Sequence, residues 1–311
     1  KLVTGVQTCA LPISRMGALR FRTDENGPFL ANDTENAVPP WVALRDLEYA
    51  SYSYENEEDD SDGKWLRQIL SPGSSLGGAR PKASVQSPDG ALWIAKFPSK
   101  HDEYDIGAWE MVVHDLACRC GLSVPNADLK TFSKHGSTFL SQRFDRTGFR
   151  RIHFASAMTL LGKTDGMAAA EGVSYLDLAE FIRANGAQPK QDLEELWRRI
   201  VFNMAVSNTD DHLRNHGFLL TANGWRLSPM YDVNPVPEGD ALALNVTDTD
   251  NSISFDLAIE TASFYGLSKD KGSRIVNQTV STVKGNVEAI ALHYGIKRSE
   301  LDKMRPAFGL N

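Results

Sequence analysis

The spacing of apolar residues changes along this chain from the period of β-strands to the period of α-helices. Two strand-like runs, residues 83–86 and 91–97, are joined by Ser87-Pro88-Asp89-Gly90, in which Pro presets φ and Gly tolerates positive φ. Apolar residues then recur every three or four positions over 103–120, and a strand pattern covers 136–143. Beyond residue 174 the pattern is mostly helical. This order predicts an α+β protein with a small β-rich part before a larger helical part.

Composition excludes several classes of protein. Asp and Glu number 40 against 33 Lys and Arg, a net charge of −7, which argues against general coating of nucleic acid or of an anionic membrane surface. No run approaches the ~20 apolar residues that span a bilayer. The cysteines Cys9, Cys118 and Cys120 are too few for a disulfide framework and lack partners for a zinc site. We expect a soluble cytoplasmic protein.

The first residues look foreign to the rest of the chain. The run from Val3 to Ile13 resembles the translation of a sequencing-adapter oligonucleotide fused in frame, so we expect residues 1–14 not to be native. A short signal peptide fits less well, because the run has Gln and Thr at its centre and no long apolar stretch. Residues 16–22 alternate between apolar and polar and predict a short strand.

Two polar segments in the second half carry a pattern typical of phosphoryl transfer. Asp210 stands five residues before Asn215, and Asp232 follows a predicted hairpin over residues 218–227. Phosphoryl transfer needs a carboxylate that orients the attacking hydroxyl and an amide and a second carboxylate that bind Mg²⁺. We therefore predict Asp210 as catalytic base and Asn215 and Asp232 as metal ligands. Either segment alone is also typical of an ordinary polar turn.

Several segments resemble the HipA-like serine/threonine kinases, the toxin components of bacterial type II toxin–antitoxin pairs. They are Ser74-Ser75-Leu76-Gly77-Gly78-Ala79-Arg80-Pro81-Lys82, Gln142-Arg143-Phe144-Asp145-Arg146, the run from Asn208 to Asn215, and Tyr231-Asp232. Together they frame most of the chain from about residue 71 onward.

The resemblance implies a two-lobed, protein-kinase-like fold. We expect a remnant of an N-terminal subdomain with an acidic linker over 15–65, a kinase N-lobe over 66–148 and a helical C-lobe over 149–311. Most of the family's N-terminal subdomain would then be missing.

The resemblance also implies roles for residues of the N-lobe. The Gly-rich loop would cover the phosphates of ATP, with Ser75 as the autophosphorylated residue and neighbouring Ser74 left open as an alternative. Lys96 would contact the phosphates and pair with Glu110, with Glu103 as the second choice. The predicted ATP-binding residues are Ser75, Gly77, Gly78, Lys82, Lys96, Gln142 and Phe144.

The resemblance finally implies an ATP- and Mg²⁺-dependent kinase that phosphorylates a protein hydroxyl. The family's targets suggest a translation factor such as an aminoacyl-tRNA synthetase, and its partners suggest a helix-turn-helix antitoxin, with DNA reached only through that antitoxin and no membrane partner. A small-molecule phosphotransferase and a non-catalytic pseudokinase or antitoxin-bound regulator remain alternatives.

Overall fold

A computed structural model describes residues 15–27, 29, 38–56, 80–148 and 150–310. The chain divides into two compact units. The first contains the described residues up to Gly107 together with Asn126–His153, and the second contains Ala108–Pro125 and the described residues from Phe154 onward.

The first unit contains a four-stranded antiparallel sheet of order β1-β2-β4-β3. Its strands are β1 (Lys82–Gln86), β2 (Leu92–Lys96), β3 (Ala127–Ser133) and β4 (Gly136–Gln142), followed by the short pair β5 (Arg146–Thr147) and β6 (Arg150–Arg151). The predicted hairpin is confirmed as β1 and β2. The predicted strand over 16–22 is wrong, because no strand forms there.

Helix α1 (Leu44–Glu55) packs on this sheet through an apolar face. Leu44 and Leu47 are fully buried against Val85, Phe97 and Leu140. Burying a leucine side chain contributes about 2 kcal/mol, so these contacts hold the helix on the sheet.

Helix α2 (Ile106–Arg119) begins in a close approach to β4. A Cβ atom added to Gly107 would lie 2.1 Å from the backbone oxygen of Ser137, so only glycine fits without a backbone shift. We expect Gly107→Ala to lower the free energy of unfolding by about 1–3 kcal/mol, as overpacking does. Thermal denaturation measures this, and Gly285→Ala is the control.

Gly285 lies in a helix, and nothing stands within 4 Å of its added Cβ. Alanine should therefore raise stability there by about 0.5–1 kcal/mol. Equal melting temperatures for the two variants would contradict the close approach at Gly107.

The second unit is mostly helical and contains an extensive apolar core. Its elements are β7 (Phe154–Ser156), α3 (Ala157–Leu160), α4 (Tyr175–Asn185), α5 (Pro189–Ala205), β8 (Gly217–Thr221), β9 (Gly224–Leu227), α6 (Phe255–Thr261), α7 (Lys269–His293) and α8 (Arg298–Met304). The three strands form an antiparallel sheet. Trp197 of α5 is fully buried and its Nε1 donates to the Ala258 oxygen at 3.0 Å. Within the described part of the chain, no helix is long and apolar enough to cross a membrane.

The two predicted catalytic segments flank the β8–β9 hairpin. Residues 206–216 connect α5 to β8, and residues 228–240 follow β9. The pairing of β8 with β9 therefore places the end of the first polar segment and the start of the second at one end of the hairpin.

Candidate active site

The first polar segment leaves α5 in a turn fixed by backbone and side-chain hydrogen bonds. Asn208 donates from its backbone nitrogen to the Asn203 oxygen at 2.9 Å, and from Nδ2 to Asn203 Oδ1 at 3.1 Å. Both asparagines are buried, so this contact is shielded from water. The end of α5 thus fixes the position of Asn208, from which the chain continues to Asp210.

The structure separates the neighbouring aspartates Asp210 and Asp211. Asp210 is exposed, whereas Asp211 is 3% exposed. Its Oδ2 accepts from Tyr175 Oη at 2.8 Å and from Asn203 Nδ2 at 2.6 Å, and lies 3.0 Å from His216 Nε2. Asp211 is therefore occupied in the interior, and Asp210 is the carboxylate of the two that can meet a substrate hydroxyl.

Asn215 is oriented by contacts with the same turn. Its Nδ2 donates to the Asp210 backbone oxygen at 3.0 Å, and its backbone nitrogen donates to the His212 oxygen at 2.8 Å. Because the amide nitrogen is used in this way, the amide oxygen faces elsewhere. An amide oxygen is a suitable Mg²⁺ ligand, so the chemistry of this side chain fits the predicted metal site.

Asp232 lies in a backbone conformation that few residues adopt. Its φ is +60°, in the left-handed region. Aspartate tolerates this region better than most residues, but the conformation still costs about 1–3 kcal/mol and persists only where the surroundings enforce it. Its neighbour Tyr231 donates from Oη to the Arg214 oxygen at 2.7 Å, and this bond links the segment of Asp232 to the segment of Asn215.

The side chains of Asn215 and Asp232 have the chemistry of Mg²⁺ ligands. One amide oxygen and one carboxylate on two linked segments match the few protein ligands that Mg²⁺ takes when phosphates and water supply the others. Among the described residues, no three His, Cys, Asp or Glu side chains are grouped to hold a metal ion. A site built from Asn215 and Asp232 would therefore need the phosphates of the nucleotide and water as further ligands of the ion.

Arg199 of α5 holds the chain just before Asp232. It is 1% exposed, and its Nη2 donates to the Ser228 oxygen at 2.7 Å. Its Nε and Nη2 also donate to Glu195 Oε1 at 2.9 and 2.8 Å. Met230 donates from its backbone nitrogen to the Ser123 oxygen at 2.7 Å, so the segment is held from two sides.

We expect Arg199→Met to lower the free energy of unfolding by about 3 kcal/mol, because it removes one partner of a mostly buried ion pair. Asp232 would also lose support, so a higher Mg²⁺ concentration should be needed for half-maximal activity. Chemical denaturation and Mg²⁺ titration measure the two effects. Arg198→Met, at the adjacent half-buried position, is the control. A parent-like Mg²⁺ requirement in Arg199→Met would contradict this role.

The first unit brings the two predicted ATP-binding lysines together. Lys82 and Lys96 are paired across β1 and β2, and Lys96 Nζ lies 5.9 Å from the centre of the Phe139 ring. A lysine at that distance from an aromatic face gains cation–π attraction. The sheet thus orients Lys96 along a defined direction.

The predicted adenine contacts lie at and after the end of β4. Gln142 ends that strand, and its Oε1 accepts from Asn126 Nδ2 at 2.6 Å. Phe144 is half-buried two residues later. Ser75, Gly77 and Gly78, with the neighbouring Ser74, lie outside the described residues.

The predicted partner of Lys96 lies on α2. Glu110 is 5% exposed, whereas Glu103, the second choice, is exposed before the helix begins. Lys96 belongs to the first unit and Glu110 to the second, and their ion pair stays a prediction.

Comparison with known proteins identifies the family. The sequence profile of the HipA-like C-terminal domain matches residues 74–287. The chain belongs to the HipA-like C-terminal domain family. This confirms the family resemblance, while the foreign origin of residues 1–14 stays a prediction.

Relatives of this HipA-like chain are named as kinases. Y4mE of Sinorhizobium fredii, named provisionally as a kinase, is 30% identical over 183 residues, which are 51% of this chain and 41% of that protein. The serine/threonine-protein kinase toxin HipA of Shewanella oneidensis is 24% identical over 230 residues, 64% of this chain and 51% of that protein. The chain spans about half the length of these curated relatives.

A solved structure establishes the fold of the HipA-like chain. HipA in a complex with HipB and operator DNA from Shewanella oneidensis is similar, with a TM-score of 0.61 and 20% identity over 76% of this chain and 63% of that chain. The predicted α+β, kinase-like fold is confirmed at this level. The residue roles predicted within that fold stay predictions.

Sequence reasoning missed two groups of the HipA-like chain that support the site. The bonds of Asp211 and of Arg199 are both made in the interior, and neither residue was singled out beforehand. A signal for Arg199 does exist. It is one turn from Leu196 and Asn203 on the buried face of α5, and an arginine on such a face must find partners.

Proposed function

We propose that this chain is an ATP- and Mg²⁺-dependent serine/threonine protein kinase of the HipA type. The observation that carries the proposal is the exposed carboxylate of Asp210 in a turn bonded to Asn215, with Asp232 on a segment linked to it through Tyr231. Family membership supports the same activity, because relatives are named as kinases.

Each residue has a distinct role in the proposed reaction. Asp210 accepts a hydrogen bond from the substrate hydroxyl and takes its proton as the hydroxyl oxygen bonds to the γ-phosphorus of ATP. The bond from that phosphorus to the bridging oxygen breaks, and ADP leaves with the electron pair. Lys96 and Lys82, with the loop of Gly77 and Gly78, bind the phosphates.

Asn215 and Asp232 would hold Mg²⁺, which neutralises phosphate charge during transfer. Gln142 and Phe144 would contact adenine, and Glu110 would orient Lys96. Ser75 would be the autophosphorylated residue, and its added negative charge would disfavour the loop's return to the phosphates of ATP. The acceptor would be a protein such as an aminoacyl-tRNA synthetase, and a helix-turn-helix antitoxin would be the partner that links the kinase to DNA.

The test is incubation of the purified chain with ATP and Mg²⁺, followed by intact-mass and peptide mass spectrometry. We expect one added phosphate on Ser75, and none in Ser75→Ala or when EDTA removes Mg²⁺. A phosphate on Ser74 instead would still support the kinase activity, but would show that Ser74 and not Ser75 is the modified residue. Transfer to small alcohols but to no protein would favour a small-molecule phosphotransferase. Raised thermal stability with ATP and Mg²⁺ but no transfer to any acceptor would favour a pseudokinase.

A further inference from the structure

Three arginines in the first unit surround one buried carboxylate. Arg143 donates from Nε to Asp145 Oδ1 at 2.9 Å and from Nη2 to Oδ2 at 2.8 Å, and both side chains have 0% exposure. Arg146 also pairs with Asp145, and Arg151 lies close to Arg143. We call Arg143, Asp145, Arg146 and Arg151 the arginine cluster.

The arginine cluster holds more positive than negative charge. Burial alone would raise the pKa of Asp145, but the hydrogen bond and charge of Arg143 and the charge of Arg146 hold it below the ordinary value. Burial, with the like charges of Arg143 and Arg151, lowers the pKa of Arg146 to about 10. Three guanidinium groups beside one carboxylate therefore need further acceptors.

The backbone of residues 15–17 supplies those acceptors. The Arg15 oxygen accepts from Nη2 of Arg143, Arg146 and Arg151 at 3.1, 2.8 and 2.8 Å. The Gly17 oxygen accepts from Arg146 Nη1 at 3.2 Å and Arg151 Nε at 3.0 Å. The Gly17 nitrogen donates to Asp145 Oδ2 at 2.6 Å.

The cluster thus recognises backbone rather than side chains. A sequence requirement lies at Gly17, which is buried with φ of +77°, a region that β-branched residues avoid. The ligand that fits the cluster is a short peptide segment with glycine in its third position. Residues 15–17 of this chain are such a segment.

Arg143 bonds the docked segment and adjoins two of the predicted adenine-binding residues. Gln142 and Phe144 stand on either side of Arg143 in sequence. The Arg143 backbone nitrogen also donates to the Leu92 oxygen of β2 at 2.8 Å, so both its backbone and its side chain are fixed. Loss of the docked carbonyls would remove acceptors from the three arginines of the arginine cluster, loosen the hold on the Arg143 side chain, and permit Gln142 and Phe144 to move.

We propose that the arginine cluster is a peptide-backbone binding site whose occupation by residues 15–17 sets the affinity for ATP. The second half of this inference rests on the proposed kinase function. If only the docked form binds ATP, the apparent Kd for ATP equals the Kd of the docked form divided by the docked fraction.

The test compares Arg151→Gln with Arg150→Gln in the full chain. Arg151 bonds both carbonyls of the segment, while its neighbour Arg150 is exposed. If Arg151→Gln lowers the docked fraction to about a tenth of the parent's, the Kd for ATP should rise about ten-fold, with kcat unchanged at saturating ATP. Arg150→Gln should match the parent.

Limited trypsin digestion provides a measurement that does not depend on ATP. Cleavage after Arg15 should be faster in Arg151→Gln than in the parent, relative to cleavage after the exposed Arg20. Gly17→Val should show the same faster cleavage and weaker ATP binding. Its control is Leu19→Val, because Leu19 is 52% exposed.

The outcomes separate this inference from the proposed function. Unchanged cleavage after Arg15 in both Arg151→Gln and Gly17→Val would overturn the docking site. Faster cleavage with unchanged Kd would overturn the link to ATP. A parent chain that binds no ATP would contradict the kinase proposal and the link to ATP together, and trypsin alone would then decide the docking site.

Discussion

Asp210→Ala is expected to lower the rate of phosphoryl transfer by about 10²–10⁴-fold, the usual contribution of a general base. Asp210 is the exposed carboxylate of the catalytic segment, and its backbone oxygen, which alanine retains, accepts the Asn215 bond. The turn should therefore survive the substitution. Stability should change by less than about 0.5 kcal/mol, as for other surface positions.

The measurement is the rate of phosphate incorporation under single-turnover conditions, together with ATP affinity and the melting temperature. Affinity for ATP with Mg²⁺ should stay close to that of the parent, because the predicted ligands Asn215 and Asp232 are intact. Asp248→Asn, which removes an exposed carboxylate outside both polar segments, is the control for a change in net charge. Full activity in Asp210→Ala would mean that another group accepts the proton.

The parts of the fold that the sequence predicted are those made by local contacts. The β1–β2 hairpin follows from its alternating residues and from Pro88 and Gly90 in its turn. Helix α2 follows from apolar residues at helical spacing, and β8 with β9 follows from two short apolar runs around a Thr-Ala-Asn-Gly turn. Each signal lies within about 20 residues of chain, which is why it can be read without the rest of the protein.

Two features escaped prediction from the sequence, and one of them depends on a contact across a long stretch of chain. Residues 16–22 alternate like a strand, but Gly17 bonds Asp145, 128 residues away, and no strand forms. Strand β3 was missed for a local reason, because Ala127 and Leu129 alternate with polar residues but Phe132 falls out of that alternation. Pairing with β4 makes it a strand.

The candidate site also has features that were visible in the sequence and features that depend on the fold. The spacing of Asp210, Asn215 and Asp232 was visible in the sequence, and the structure links their two segments through Tyr231. The different surroundings of Asp210 and Asp211 were not visible, because adjacent aspartates carry the same local signal. They are distinguished by Tyr175 and Asn203, which come from helices α4 and α5.

Asp211→Ala should therefore differ from Asp210→Ala, because it should mainly lower the stability of the protein rather than the rate of transfer. It leaves Tyr175 Oη and Asn203 Nδ2 without their acceptor inside the protein, and His216 without its carboxylate. Each buried donor left unpaired costs about 1–3 kcal/mol. We expect a total loss of about 3–5 kcal/mol, as for removal of one partner from other buried charged groups.

For a unit of this size each kcal/mol lowers the melting temperature by about 2–4 °C, so the drop should be about 6–20 °C. Activity measured well below the melting temperature separates the two aspartates. Asp211→Ala should keep measurable transfer there, because Asp210 is still present, whereas Asp210→Ala should not recover at any temperature. Tyr175→Phe, which removes one of the donors, should restore part of the stability when combined with Asp211→Ala, since one unpaired buried hydroxyl disappears. A double variant less stable than Asp211→Ala would mean that Tyr175 finds another acceptor and that the network is not centred on Asp211.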